Sequence, residues 1–178
     1  MVSGTRMAIL VTLLSAGAVE FTTAQTPTDA QRADAATEEV SEQVTETMNA
    51  FAAMDLDGLE AGLAADVVAF EMDLEGKPVR LGSRADVMRY AAEMFTELKK
   101  MGATLKLDFH SSSCRAASTL AYCTVEFDFN AAMPDGSTLS QPSRNSVVLR
   151  QGDDGWKWAH WHSSVASVPA PPAPPPGP

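Results

Sequence analysis

The chain has 178 residues, a formal net charge of −10, 45% hydrophobic residues and two cysteines. That length holds one domain with a sizeable core. The acidic balance, with Lys99-Lys100 as the only adjacent basic pair, argues against nucleic acid and anionic lipid surfaces as partners.

Met1–Arg6 carries one Arg, Met7–Val19 is a run of small and apolar residues, and Thr22-Thr23-Ala24 offers small residues where a signal peptidase reads. This predicts a secretory signal peptide over 1–24, cleaved before Gln25. A membrane anchor competes with that reading, but the run falls short of the roughly 20 residues a span needs. No other segment is long and apolar enough to cross a membrane. The protein is therefore expected to be exported, periplasmic or extracellular.

Residues 25–36 are polar and expected to be a loose, flexible segment. Val40, Val44, Met48, Phe51 and Met54 have helical spacing, so Thr37–Met54 is predicted as a first helix. Asp55 or Asp57 can cap a short second helix over Gly58–Ala65. Val67–Met72 is a short strand, followed by a turn or loop at Glu75–Pro78. Ser83, with Asp86 three residues on, caps a long helix Arg84–Met101, and Gly102 closes it.

The pattern then switches to period two. Leu105, Leu107 and Phe109 alternate with polar residues, as do Ala121, Cys123, Val125, Phe127 and Phe129. A turn near Ser118-Thr119 would set Cys114 opposite Cys123. In an exported chain that pairing points to a disulfide, against two buried free thiols as the alternative. Pro134-Asp135-Gly136 is a turn, and Gln141–Arg150 a strand. Gly152-Asp153-Asp154-Gly155 turns the chain into the last strand, Trp156–Ser164. Helices first and an antiparallel meander afterwards mean an α+β fold. The domain spans 37–167, and the Pro/Ala-rich tail 168–178 is expected to be extended and disordered.

Strict alternation on the last strand puts Trp156, Trp158, His160 and His162 on one face and Lys157, Ala159, Trp161 and Ser163 on the other. Two large aromatics and two imidazoles on one line suggest a cavity wall. Trp161, with Tyr122 and Thr124, would then face outward and make an interface.

The segment Gly155-Trp156 through His160-Trp161-His162-Ser163-Ser164 resembles the closing strand of the SnoaL-like branch of the nuclear-transport-factor-2-like superfamily. It is especially similar to the association domain of calcium/calmodulin-dependent protein kinase II. Ser140-Gln141-Pro142-Ser143-Arg144 and Met54-Asp55-Leu56-Asp57-Gly58-Leu59 are similar as well, and the resemblance covers about Thr37 to Ser167. It implies a cone-shaped fold with N-terminal helices packed in a curved antiparallel sheet. This superfold hosts enzymes, binding modules and assembly domains, so it does not by itself fix an activity.

His160 and His162 could contact a ligand or be hydrogen-bonded core residues. As a metal pair they lack a third ligand, because the remaining histidine, His110, lies on a polar register, and no metal is expected. Arg144 opens the neighbouring strand. It could reach into the pocket, as arginines do in the kinase association domain, or pair on the surface with Glu126 or Asp128. Asp73 sits before Pro78 and Gly82, similar to the catalytic base of the superfamily's ketosteroid isomerases. The competing reading is a solvated loop carboxylate beside Glu71 and Glu75. The isomerases' oxyanion-hole Tyr has no counterpart on the first helix, since Tyr90 lies on another. No phosphate loop or nucleophile elbow appears, and no cofactor is expected. These residues together predict a small-molecule-binding or oligomerisation module. Its pocket would be formed by His160, His162, Arg144, Trp158 and Tyr90, suited to an organic acid, and it would assemble as a homodimer. The alternative is an isomerase or cyclase acting on an apolar carbonyl substrate with Asp73 as base.

Overall fold

In the computed structural model, which describes residues 28–73 and 77–166, the chain begins with helix α1, Asp29–Ala52. The helix starts well before Thr37 because Thr28 and Gln31 form a capping box: the Gln31 backbone N–H donates to Thr28 Oγ1 and the Thr28 N–H to Gln31 Oε1, at 3.3 and 2.8 Å. Its first turns are exposed and have no apolar stripe, so hydrophobic spacing does not reveal them. The buried stripe Val40, Val44 and Met48 begins only where the helix reaches the sheet. The predicted signal peptide and the whole Pro/Ala tail lie outside the described residues.

Asp55 caps α2, Leu56–Ala61, by accepting the Gly58 N–H at 3.1 Å. Strand β1 is Leu63–Met72, and β2, Pro78–Leu81, is a short edge strand that opens on proline, where no ladder donor is needed. Helix α3, Arg84–Lys100, is capped as expected. Ser83 Oγ accepts the Asp86 N–H at 3.2 Å, and Gly102 follows with φ +66°, a left-handed conformation suited to glycine. Four long strands complete the chain: β3 Thr104–Ala117, β4 Leu120–Ala132, β5 Thr138–Gly152 and β6 Gly155–Val165.

The strands form one sheet in the order β2-β1-β6-β5-β4-β3, antiparallel throughout except where β1 runs parallel to β6. The last strand is thus central. The sheet curls around α1 and α3, whose core faces meet at Phe51 and Phe95, 5.3 Å apart edge to face. This is the expected cone-shaped α+β fold. Cys114 and Cys123 are direct partners in the β3–β4 ladder and are joined by a disulfide, both buried on the inner face.

The ladders are not regular. On β3, Phe109 pairs with Phe127 and Ser111 with Glu126, which leaves His110 as an extra residue. On β6, Trp158 pairs with Leu149 and His160 with Val148, which leaves Ala159 unmatched. A one-residue bulge exchanges the faces of everything beyond it. Trp156 and Trp158 point inward, and after Ala159 the inward residues are Trp161 and Ser163. The expected face of four residues is therefore split. Trp161 is 6% exposed and belongs to the interior rather than to an outer interface. His160 and His162 stand on the outer face, where both contact the half-exposed ring of Phe70 edge-on, with centroids 5.9 and 6.4 Å away.

Candidate functional site

Between the helices and the curled sheet lies a cavity of about 110 Å³. Its apolar wall comes from Met48 and Phe51 on α1, Leu59 on α2, Leu63 on β1, Val87 and Ala91 on α3, and Leu107, Phe127 and Phe129 on β3 and β4. Trp158 and Trp161, flanking the bulge, form a corner with ring planes 71° apart and centroids 5.6 Å apart. The polar groups are few: Thr47, Glu71, Tyr90, Asn145 and Ser163.

Glu71 is the centre of this set. It sits on β1 at the inward register of Val67 and Ala69, alternating with Val68 and Phe70. Its Oε1 accepts the indole N–H of Trp161 and lies 2.7 Å from Ser163 Oγ. Burial raises its carboxyl above the usual carboxylate range. The hydrogen bonds from Ser163 and Trp161, the backbone of Met72 and the charge of His162 pull the other way and are outweighed.

Proton counting at Ser163 adds a constraint. The hydroxyl contacts both Glu71 Oε1 and Asn145 Oδ1, the second at 2.8 Å, yet has a single hydrogen to donate. Two arrangements satisfy the count. A protonated Glu71 donates to Ser163, which donates to Asn145. An ionised Glu71 accepts from Ser163, and the Asn145 amide turns to present its NH₂. Losing the Glu71 proton therefore reverses the direction of this hydrogen-bond chain.

Tyr90, on α3, donates its hydroxyl to the Met72 carbonyl at 2.6 Å. Burial, and then the charges of Glu71 and Asp73, push it well above the usual phenol value, so it remains a donor. Trp158 adds an indole N–H that is buried and has no hydrogen-bond partner. An unmet donor on a cavity-lining residue is a group that a bound acceptor can satisfy.

Two residues expected in the pocket, Tyr90 and Trp158, line it. Three do not. His160 and His162 are placed outside by the bulge, and Arg144 is on the outer face, its Nε 3.8 Å from Glu126 Oε1, directly across the β4–β5 ladder. No described residue lining the cavity is Lys, Arg or His, so the expected organic-acid pocket loses its donors. Asp73 accepts the Lys77 backbone N–H at 2.8 Å and is not part of the cavity wall. Sequence reasoning passed over Glu71, treating it only as a neighbour of Asp73. The signal was the alternation Val67, Ala69, Glu71 on a strand already identified. Among the described residues no group of three or more His, Cys, Asp or Glu side chains is placed to hold a metal, and no helix is long and apolar enough to cross a membrane.

Solved structures of this shape are numerous. A protein of the nuclear-transport-factor-2-like family from Streptomyces avermitilis, described as a candidate dehydratase, superposes with a TM-score of 0.66 at 18% identity, over 76% of this chain and 99% of that one. The calcium/calmodulin-dependent protein kinase II hub of S. rosetta superposes with a TM-score of 0.56 at 18% identity, over 73% and 96%. A protein from Thiobacillus denitrificans described as a candidate association domain of that kinase type reaches 0.56 at 20% identity, over 70% and 93%. At such identities the likeness establishes the fold alone. No curated protein matches the sequence. The profile of the SnoaL-like domain matches residues 40–168, most of the chain, and the protein belongs to the SnoaL-like domain family.

Proposed function

We propose that this SnoaL-like protein binds a compact, mostly apolar small molecule in its cavity, with the ligand's polar group at Glu71. The observation that carries the reading is Glu71 itself. A carboxyl group in an apolar enclosure costs stability, and a core built only for packing would use an aliphatic residue there. About 110 Å³ suits a single small ring, since a dry cavity of roughly 150 Å³ holds benzene. The test is a titration of tryptophan fluorescence with small cyclic compounds, supported by native mass spectrometry. A ligand should perturb Trp158 and Trp161 and should lose affinity when Ala91→Phe fills the cavity. Binding that is indifferent to Ala91→Phe would place it elsewhere.

A second reading, proton transfer in an isomerase or dehydratase, is favoured by the raised proton affinity of the Glu71 carboxyl. Glu71 then replaces Asp73 as the base, because it lines the cavity and Asp73 does not. Deuterium exchange at the α-carbon of small ketones, abolished in Glu71→Gln, would support it. Absence of exchange across a ketone series would remove it.

The apolar N-terminal run and Thr22-Thr23-Ala24 support export, with a mature N-terminus at Gln25. N-terminal sequencing of the secreted protein checks this. Homodimerisation is supported by the exposed outer face of the sheet, now without Trp161.

A further inference from the structure

We infer that the cavity selects small organic cations, primary or quaternary ammonium compounds, over anions and neutral isosteres. The inference rests on the small-molecule reading of the same cavity and assigns it a ligand class. Six aromatic side chains, Phe51, Tyr90, Phe127, Phe129, Trp158 and Trp161, line the enclosure together with one carboxyl group, Glu71. Aromatic faces and a carboxylate both attract positive charge, and the attraction grows when water is excluded. No described lining residue is cationic, so no positive charge in the wall competes for Glu71, and the unmet Trp158 indole N–H is a neutral donor that gives an anion no charge partner.

The bonding of Glu71 fits this role. Both side-chain donors that hold it, Trp161 and Ser163, converge on Oε1, and no side-chain donor among the described residues reaches Oε2. The side chains thus hold the carboxyl group through one oxygen, with the Met72 backbone as a further donor, and leave the other oxygen without a side-chain partner. Glu71 is half-buried, and folding has already taken part of its carboxyl group out of water, so less of that cost is left for a cation's entry to add. The Trp158–Trp161 corner, with planes 71° apart, supplies two walls of an aromatic cage beside the carboxyl group. At the scale of the whole protein, the net charge of −10 draws cations toward the surface and repels anions.

The experiment compares four probes by calorimetry at pH 8: cyclopentylammonium, cyclopentanol, cyclopentanecarboxylate and benzene. Shifts of the Met48 methyl signal, from a residue lining the cavity, locate the binding. The ammonium is expected to bind at least tenfold more tightly than the alcohol, the carboxylate not to bind, and Glu71→Gln to bring ammonium and alcohol within about twofold of each other. Equal affinity of ammonium and alcohol, or preference for the carboxylate, overturns the cation assignment and leaves the small-molecule reading intact. Failure of all four to bind, benzene included, overturns both. If Glu71→Gln does not fold, the order of the four probes on the wild-type protein decides the question alone.

Discussion

Glu71 is where the energetics of fold and site conflict. Its folded-state proton affinity is raised, so the stability it permits is fully present below the ordinary glutamate value and is lost as pH rises through the folded value. Glu71→Gln keeps an oxygen to accept from Trp161 and Ser163 but cannot ionise. The variant should match wild type near pH 4 and be more stable at pH 8, by about 1.4 kcal/mol for every tenfold rise in Glu71 proton affinity. For a domain of this size each kcal/mol is worth roughly 3–5 °C in melting temperature. Parallel melts at the two pH values give the answer, and a constant difference between the proteins would show that Glu71 is not desolvated. Ser163 tests the same group differently. Its hydrogen bond favours the ionised carboxylate, so Ser163→Ala should raise the Glu71 titration midpoint seen by carboxyl-carbon NMR. An unchanged midpoint would mean that the hydroxyl hydrogen stays on Asn145.

At the level of elements, much of the fold was legible because its signals are local. Ser83 with Asp86 and Gly102 bounds α3, and the two-residue turns at Ser118-Thr119 and Asp153-Asp154 bound hairpins. The turn at Ser118-Thr119 also fixes the register that brings Cys114 to Cys123. What failed was the extrapolation of period two through Ala159. A bulge is set by pairing with β5 and β1, which no window of the strand contains. A trace was nevertheless present: the three tryptophans fall at 156, 158 and 161, two apart and then three, and only an extra residue lets all three face inward. Deleting Ala159 should therefore remove the bulge without exchanging faces, because Trp158 and His160 then follow one another in regular alternation opposite Leu149 and Val148. Trp161 would stay inward and His162 outward, and the change that empties the core is Trp161→Ala. That substitution should cost more than about 3 kcal/mol, the cost of taking a large aromatic from the core, and the deletion should cost less. Chemical denaturation measures both, and a deletion as costly as Trp161→Ala would mean that the bulge itself is needed to seat the ring.

At the level of the whole molecule, the bulge that builds the cavity also builds the outer face. By sending His160 and His162 outward it sets them among Phe70, Val148 and Tyr122. Tyr122, Val148, His160 and Val68 lie side by side across β4, β5, β6 and β1, and Phe70 pairs with His162 in the next row. Tyr122 and Phe70 are 48% and 42% exposed, which is a large aromatic area to leave in water on one face of a sheet. Arg144 and Glu126 flank it as a pair of opposite charges, so two copies related by a twofold axis could meet without net repulsion there, despite the acidity of the chain. A stable contact of this kind needs roughly 800 Å² from each partner. The protein should therefore sediment as a dimer at micromolar concentration. Tyr122→Glu should weaken that dimer at least tenfold, because it buries an unpaired charge at the interface, and Trp161→Phe should not, because Trp161 points into the cavity. Sedimentation of the wild type as a monomer across the micromolar range would reject the interface. A dimer lost equally in both variants would place the contact elsewhere, with the outer face left to another partner.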